Sequence, residues 1–190
     1  MPGDWLSYNH DMASTRYSLL TQINANNAAT LKSAWTFSLK GEGPPPRFGG
    51  GGSEATPIVV NGVMYLPASA RVVALDAANG KEVWSYTTTA GRPSTRGVAC
   101  SPGDKQNPPR IIFKAGRNLI ALNATTGKID PGFGKEGVVD DGGRKRPGSA
   151  RWSAWRYGGL RRTNRCEEGK DGKQYVAIVA GLTLNVFALP

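Results

Sequence analysis

The stretch from Ala74 to Trp84 reads Ala-Leu-Asp-Ala-Ala-Asn-Gly-Lys-Glu-Val-Trp, and it returns in weaker form 47 residues later as Ala121-Leu-Asn-Ala-Thr-Thr-Gly-Lys-Ile. Leu75 aligns with Leu122, Gly80 with Gly127 and Lys81 with Lys128. Self-similarity at a period of roughly 20 to 50 residues restricts a chain to stacked repeats, because one unit cannot bury its apolar face alone.

The flanks of the first copy say what the unit is. Pro57-Ile-Val-Val and Val63-Met-Tyr-Leu are β-rich runs joined by Asn61-Gly62, a pair suited to the positive φ angles of a tight hairpin. Val72-Val-Ala-Leu is a third run, Asp76-Ala-Ala-Asn-Gly a polar turn, and Lys81 to Thr87 a fourth strand with aromatic and β-branched residues. Four antiparallel strands in about 35 residues make one propeller blade. The fold class expected is all-β, a partial β-propeller of four-stranded antiparallel blades. Ala34-Trp-Thr-Phe-Ser resembles Val83-Trp-Ser-Tyr-Thr, which makes the N-terminal segment the outer strand of a preceding blade. Near the other end, Val186-Phe-Ala-Leu repeats Val72-Val-Ala-Leu. Trp35 and Trp84 read as packing wedges between sheets, and Asp76 and Asn123 as side chains bonded to their own turn backbone.

Several motifs in order carry a family resemblance: Gly3-Asp-Trp, Thr15-Arg-Tyr-Ser, Leu20-Thr-Gln-Ile-Asn, Glu54-Ala-Thr-Pro-Ile-Val-Val-Asn-Gly-Val-Met-Tyr, the Ala74 to Trp84 element, Arg96-Gly-Val and Pro102-Gly-Asp. They resemble the N-terminal part of the PQQ-dependent quinoprotein glucose and alcohol dehydrogenases. Asp171-Gly-Lys-Gln-Tyr-Val-Ala-Ile-Val-Ala-Gly, with Val186-Phe-Ala-Leu-Pro, looks like the last strands of the same family. The resemblance implies a propeller holding PQQ and Ca²⁺, oxidation of an alcohol or aldose, and electron transfer to a quinone or cytochrome. At roughly 40 to 50 residues per blade this chain holds at most about four blades. The expectation is a single incomplete propeller domain over 1–190, with central blades missing: N-terminal blades over 1–141, a basic linker over 142–170 and closing strands over 171–190. A propeller closes by pairing its first and last strands, and both terminal pieces are present.

Gly142 to Arg165 carries seven Arg and one Lys and no acidic residue, and so most of the formal net charge of +10. With Trp152, Trp155 and Tyr157 nearby it has the ingredients of a polyanion patch, but no compact recognition motif surrounds it, so a solvated linker is the preferred reading and nucleic acid is not an expected partner. There is no apolar run long enough to span a bilayer and no signal-type start; the resemblance implies the periplasm. Cys100 and Cys166 permit a disulfide or two thiols and define no metal pattern. His10 is the sole histidine, which leaves no material for a histidine triad or multi-histidine metal site.

The resemblance carries two cofactor contacts onto this chain. Glu54 matches the family glutamate that hydrogen-bonds PQQ, and Arg96 the arginine that contacts its oxygens. An arginine fork can hold an anionic edge at two points. Read without the resemblance, Glu54 would cap the Thr56-Pro57 turn and Arg96 would be a loop charge. No residue matches the Ca²⁺ ligands or the aspartate base, and position alone assigns that base to none of Asp140, Asp141 or Asp171. A non-catalytic binding or assembly module is the alternative.

Overall fold

The computed structural model describes residues 5, 18, 20–40, 55–140 and 171–190. Apart from one 3₁₀ turn at Ala28–Thr30, the regular elements described are strands: β1 (Lys32–Ser38), β2 (Ile58–Val60), β3 (Val63–Ala68), β4 (Arg71–Asp76), β5 (Glu82–Thr87), β6 (Ala99–Ser101), β7 (Arg110–Ala115), β8 (Asn118–Asn123), β9 (Val138–Asp140), β10 (Tyr175–Ala180) and β11 (Thr183–Ala188). They form two four-stranded antiparallel blades, β2-β3-β4-β5 and β6-β7-β8-β9, and a three-stranded terminal sheet, β1-β11-β10. The basic linker, Glu54, His10, Asp141 and Cys166 lie outside the described residues.

Local chemistry explains the first blade. β2 and β3 meet at Val60 and Val63 across Asn61–Gly62, whose φ values of +52° and +70° are the left-handed pair that a two-residue hairpin needs. At the end of β4 the Asp76 carboxylate accepts from the Ala78 N–H at 2.9 Å, and Gly80 N–H returns to Asp76 O at 2.8 Å. The second blade repeats this closure: Asn123 Oδ1 accepts from Thr125 N–H at 2.9 Å and Gly127 N–H from Asn123 O at 2.9 Å. Both turns are the Asx turns expected from sequence.

The turns also receive the tryptophans. Trp35 donates its indole N–H to Ala77 O at 3.2 Å, and Trp84 donates to Ala124 O at 2.9 Å. Each ring lies over the turn glycine of the next sheet: a Cβ added to Gly80 would stand 2.5 Å from Trp35, and one added to Gly127 would stand 2.5 Å from Trp84. Only glycine leaves room for that approach. Both tryptophans are inter-sheet wedges.

The first blade sits between its two neighbours. One apolar layer joins Ile58, Tyr65, Val72 and Ala74 of the first blade to Ile111, Phe113, Ile120 and Leu122 of the second. Another joins Met64, Leu66, Val73 and Leu75 to Leu184 and Val186 of the terminal sheet. Period-two alternation makes both layers possible, since successive residues of β3 and β4 face opposite neighbours.

β1 pairs with β11 from Lys32↔Ala188 to Ser38↔Thr183, so N-terminal and C-terminal segments share one sheet. Gln22 fastens that junction: its amide donates to Gly172 O at 2.7 Å and accepts from Gln174 N–H at 2.6 Å, while Gln174 accepts from Ile23 N–H at 2.8 Å.

The second blade departs from simple repetition. Ile129 bridges Leu122, but the pairing stops there and the last strand, β9, joins β8 at Asn118–Ile120 after a loop. Pro131 stands 47 residues after Trp84, where the first blade has a strand residue, and proline has no N–H for the ladder. Asp130, 6% exposed, is bonded instead by the Arg110 guanidinium and by Gly132 N–H at 2.9 Å. Among the described residues no helix is long and apolar enough to cross a membrane.

Candidate functional site

β2 and β6 are the first strands of neighbouring blades, and they approach each other across the gap between sheets. The residues leading into them are therefore brought together. Ala55, 3% exposed, and Thr56 precede β2; Arg96, Gly97 and Val98, the last 6% exposed, precede β6. Gly97 has φ +118°, and a Cβ on it would stand 3.2 Å from the Thr56 carbonyl oxygen. The Arg96–Gly97 turn thus presses on the chain two residues beyond Glu54. Sequence reading named Glu54 and Arg96 but gave no role to Gly97, whose signal is its place between a charged residue and a strand start.

The turn is fixed from the second blade. Pro93 bridges Ala115, Ser94 N–H donates to Lys114 O at 2.7 Å, and Arg96 N–H donates to Ser94 Oγ at 3.3 Å. The Arg96 side chain is exposed. Among the described residues no carboxylate pairs with its guanidinium. Trp5 lies on the free edge of β2, donating its N–H to Val59 O at 2.8 Å and accepting from Val59 N–H at 3.1 Å. An exposed planar fork with no carboxylate partner among the described residues suits an anionic ligand.

Four other carboxylates among the described residues have structural occupations. Asp171 accepts from the Tyr175 hydroxyl at 2.6 Å, a bond that holds its carboxyl below the usual range while burial, then Asp171 itself, pushes the Tyr175 phenol up to about 12. Asp140 is 3.8 Å from Arg117 at the surface. Asp104, in Pro102-Gly-Asp, accepts from Gln106 N–H and Asn107 N–H, both at 2.8 Å, which closes its own loop and lowers its pKa. Asp130 is lowered chiefly by Arg110. Among the described residues no group of three or more His, Cys, Asp or Glu forms a metal site. An open cleft of about 250 Å³ lies on the terminal sheet between Lys32, Lys173, Tyr175 and Pro190, away from Arg96.

Comparison with known proteins adds independent findings. The model of the PQQ family described as glucose/ethanol/alcohol dehydrogenase, beta-propeller domain, matches residues 5–151. The chain is 42% identical over 134 residues to the dehydrogenase subunit of alcohol dehydrogenase (quinone) from Gluconobacter oxydans, a match covering 67% of this chain and 16% of that one. It is 36% identical over 155 residues to quinoprotein glucose dehydrogenase of Escherichia coli, covering 72% and 19%. Its fold matches the crystal structure of quinohemoprotein alcohol dehydrogenase from Comamonas testosteroni with a TM-score of 0.52 and 37% identity, covering 66% of this chain and 18% of that one. The matches thus span less than a fifth of the length of each of these relatives.

Proposed function

Because the chain belongs to the PQQ glucose/ethanol/alcohol dehydrogenase β-propeller family, we propose that it supplies part of the cofactor-binding wall of a PQQ-dependent oxidoreductase acting on an alcohol or an aldose. The observation that carries this reading is the contact of the Arg96–Gly97 turn with Thr56, two residues from Glu54. Bound, PQQ supplies an ortho-quinone that accepts two electrons from the substrate carbon. PQQ has three carboxylates, and the exposed Arg96 fork, with no carboxylate partner among the described residues, matches one of them or a quinone oxygen. Glu54 hydrogen-bonds the cofactor and offsets the arginine charge, while Ala55 and Val98 keep water from the wall between them. The proton acceptor for the substrate hydroxyl and the Ca²⁺ ligands are assigned to no residue of this chain. A periplasmic location and a quinone or cytochrome acceptor belong to the same proposal.

Titration with PQQ in the presence of Ca²⁺, followed by quenching of tryptophan fluorescence, tests it. Saturable binding is expected, at least about tenfold weaker in Arg96→Ala and in Glu54→Ala, as for loss of a charge-assisted hydrogen bond. A folded wild-type chain that takes up no PQQ rejects the function. Binding unchanged in both variants rejects the site.

A further inference from the structure

The segment from Thr88 to Val98 joins β5 of the first blade to β6 of the second, and it carries Arg96. It forms no strand of its own, yet both blades hold it. The first blade takes its two ends: Thr88 N–H donates to Ala70 O at 3.0 Å, and Gly97 lies against the Thr56 carbonyl. The second blade takes its middle. Pro93, buried, bridges Ala115, and a Cβ on Gly91 would stand 3.3 Å from the Gly116 nitrogen. The Pro93 ring also fixes its own φ, which narrows the paths by which the backbone can run on toward Arg96.

Ser94 is where these holds meet the arginine. Its N–H donates to Lys114 O of β7 at 2.7 Å, its Oγ accepts from Arg96 N–H at 3.3 Å, and its carbonyl accepts from Gly97 N–H at 3.5 Å. One half-buried residue therefore ties both members of the Arg96–Gly97 turn to the second blade, while Gly97 is set against the first. Thr95 and Arg96 are themselves exposed, so packing does not fix them. A guanidinium fork grips a planar anion at two points only when the backbone that carries it is fixed, because a shift at Cα displaces the whole fork.

We propose that Ser94 is a positioning residue for Arg96: its hydroxyl fixes the arginine backbone, so that the guanidinium is already aimed when an anionic cofactor edge arrives. The inference rests on the reading of Arg96 as a PQQ contact. Ser94 acts through Arg96, by lowering the ordering cost of binding, and not as a contact of its own. A hydroxyl that only steadied the loop would influence binding whether or not the arginine were present.

Ser94→Val and Ser94→Thr share a shape and differ in the oxygen, so titration of both with PQQ and Ca²⁺, followed by tryptophan fluorescence, tests the role. Ser94→Val should bind about three- to tenfold more weakly than wild type, the effect of one lost hydrogen bond, and Ser94→Thr within about twofold of it. In a chain that already carries Arg96→Ala, Ser94→Val should cost nothing further, since the group it positions is gone. A wild type that takes up no PQQ rejects the function and this inference together. Where wild type binds and Arg96→Ala weakens it, the function stands, and three results overturn the positioning role alone: Ser94→Val binding like wild type, Ser94→Thr binding as weakly as Ser94→Val, or Ser94→Val costing as much without the arginine as with it. Near-ultraviolet circular dichroism checks folding, and Ser94→Ala replaces Ser94→Val if that variant is not folded.

Discussion

Gly127 shows how much one missing methyl group decides. Its φ is +69° and the Trp84 ring occupies the space a Cβ would need, at 2.5 Å, so Gly127→Ala combines backbone strain with overpacking. Gly181 has a similar φ of +62° with nothing within 4 Å of its added Cβ. Chemical denaturation should therefore show Gly127→Ala costing about 2–4 kcal/mol and Gly181→Ala about 1 kcal/mol. Equal costs would mean that the tryptophan moves aside freely. Asp130 has a different signature. The Arg110 hydrogen bond, the largest influence on it, lowers its native pKa, so its stabilisation is present above the unfolded value of about 3.9 and fades as pH falls toward the native one. Stability measured from pH 6 to pH 2 should fall less steeply for Asp130→Asn than for the wild type, even though the variant is weaker at neutral pH.

Among the elements, the strands of the first blade and their turns were legible because each has a local cause: alternation for β3 and β4, Asn61-Gly62 for the hairpin, Asp76 for the turn. Trp35 and Trp84 were legible as wedges because each closes a repeat unit, while the glycines they cover, Gly80 and Gly127, lie in the next sheet. The detour before β9 was not, since the period continues as far as Ile129 and what breaks it is Pro131 together with a carboxylate whose partner, Arg110, lies on another strand. The site divides in the same way. Arg96 was proposed from its motif, whereas the approach of its neighbour Gly97 to Thr56 depends on β2 meeting β6, a tertiary fact that no local pattern encodes. The junction of β1 with β10 and β11 yields a further expectation. Gln22 makes two hydrogen bonds to Gly172 and Gln174, so Gln22→Ala should lower stability by about 1–2 kcal/mol in thermal or urea unfolding, whereas Asn26→Ala, on the same exposed turn, should change it by less than about 0.5 kcal/mol.

For the molecule as a whole, stability is held in the two layers between three sheets, with the first blade contributing to both. Leu184 is fully buried in one of them while Ile178, on the same hairpin, is half exposed. Leu184→Ala should cost about 2–5 kcal/mol and Ile178→Ala less than about 1 kcal/mol, and the order would reverse if the terminal sheet were seated with its other face inward. The same sheet has a temporal side. Ser33 pairs with Phe187 across 154 positions, whereas the strands of each blade pair with neighbours close in sequence. On the ribosome, β1 must wait as an unpartnered edge until β11 emerges, by which time both blades can have condensed. A nascent chain is therefore open to capture by chaperones at β1 for as long as β11 has yet to be made.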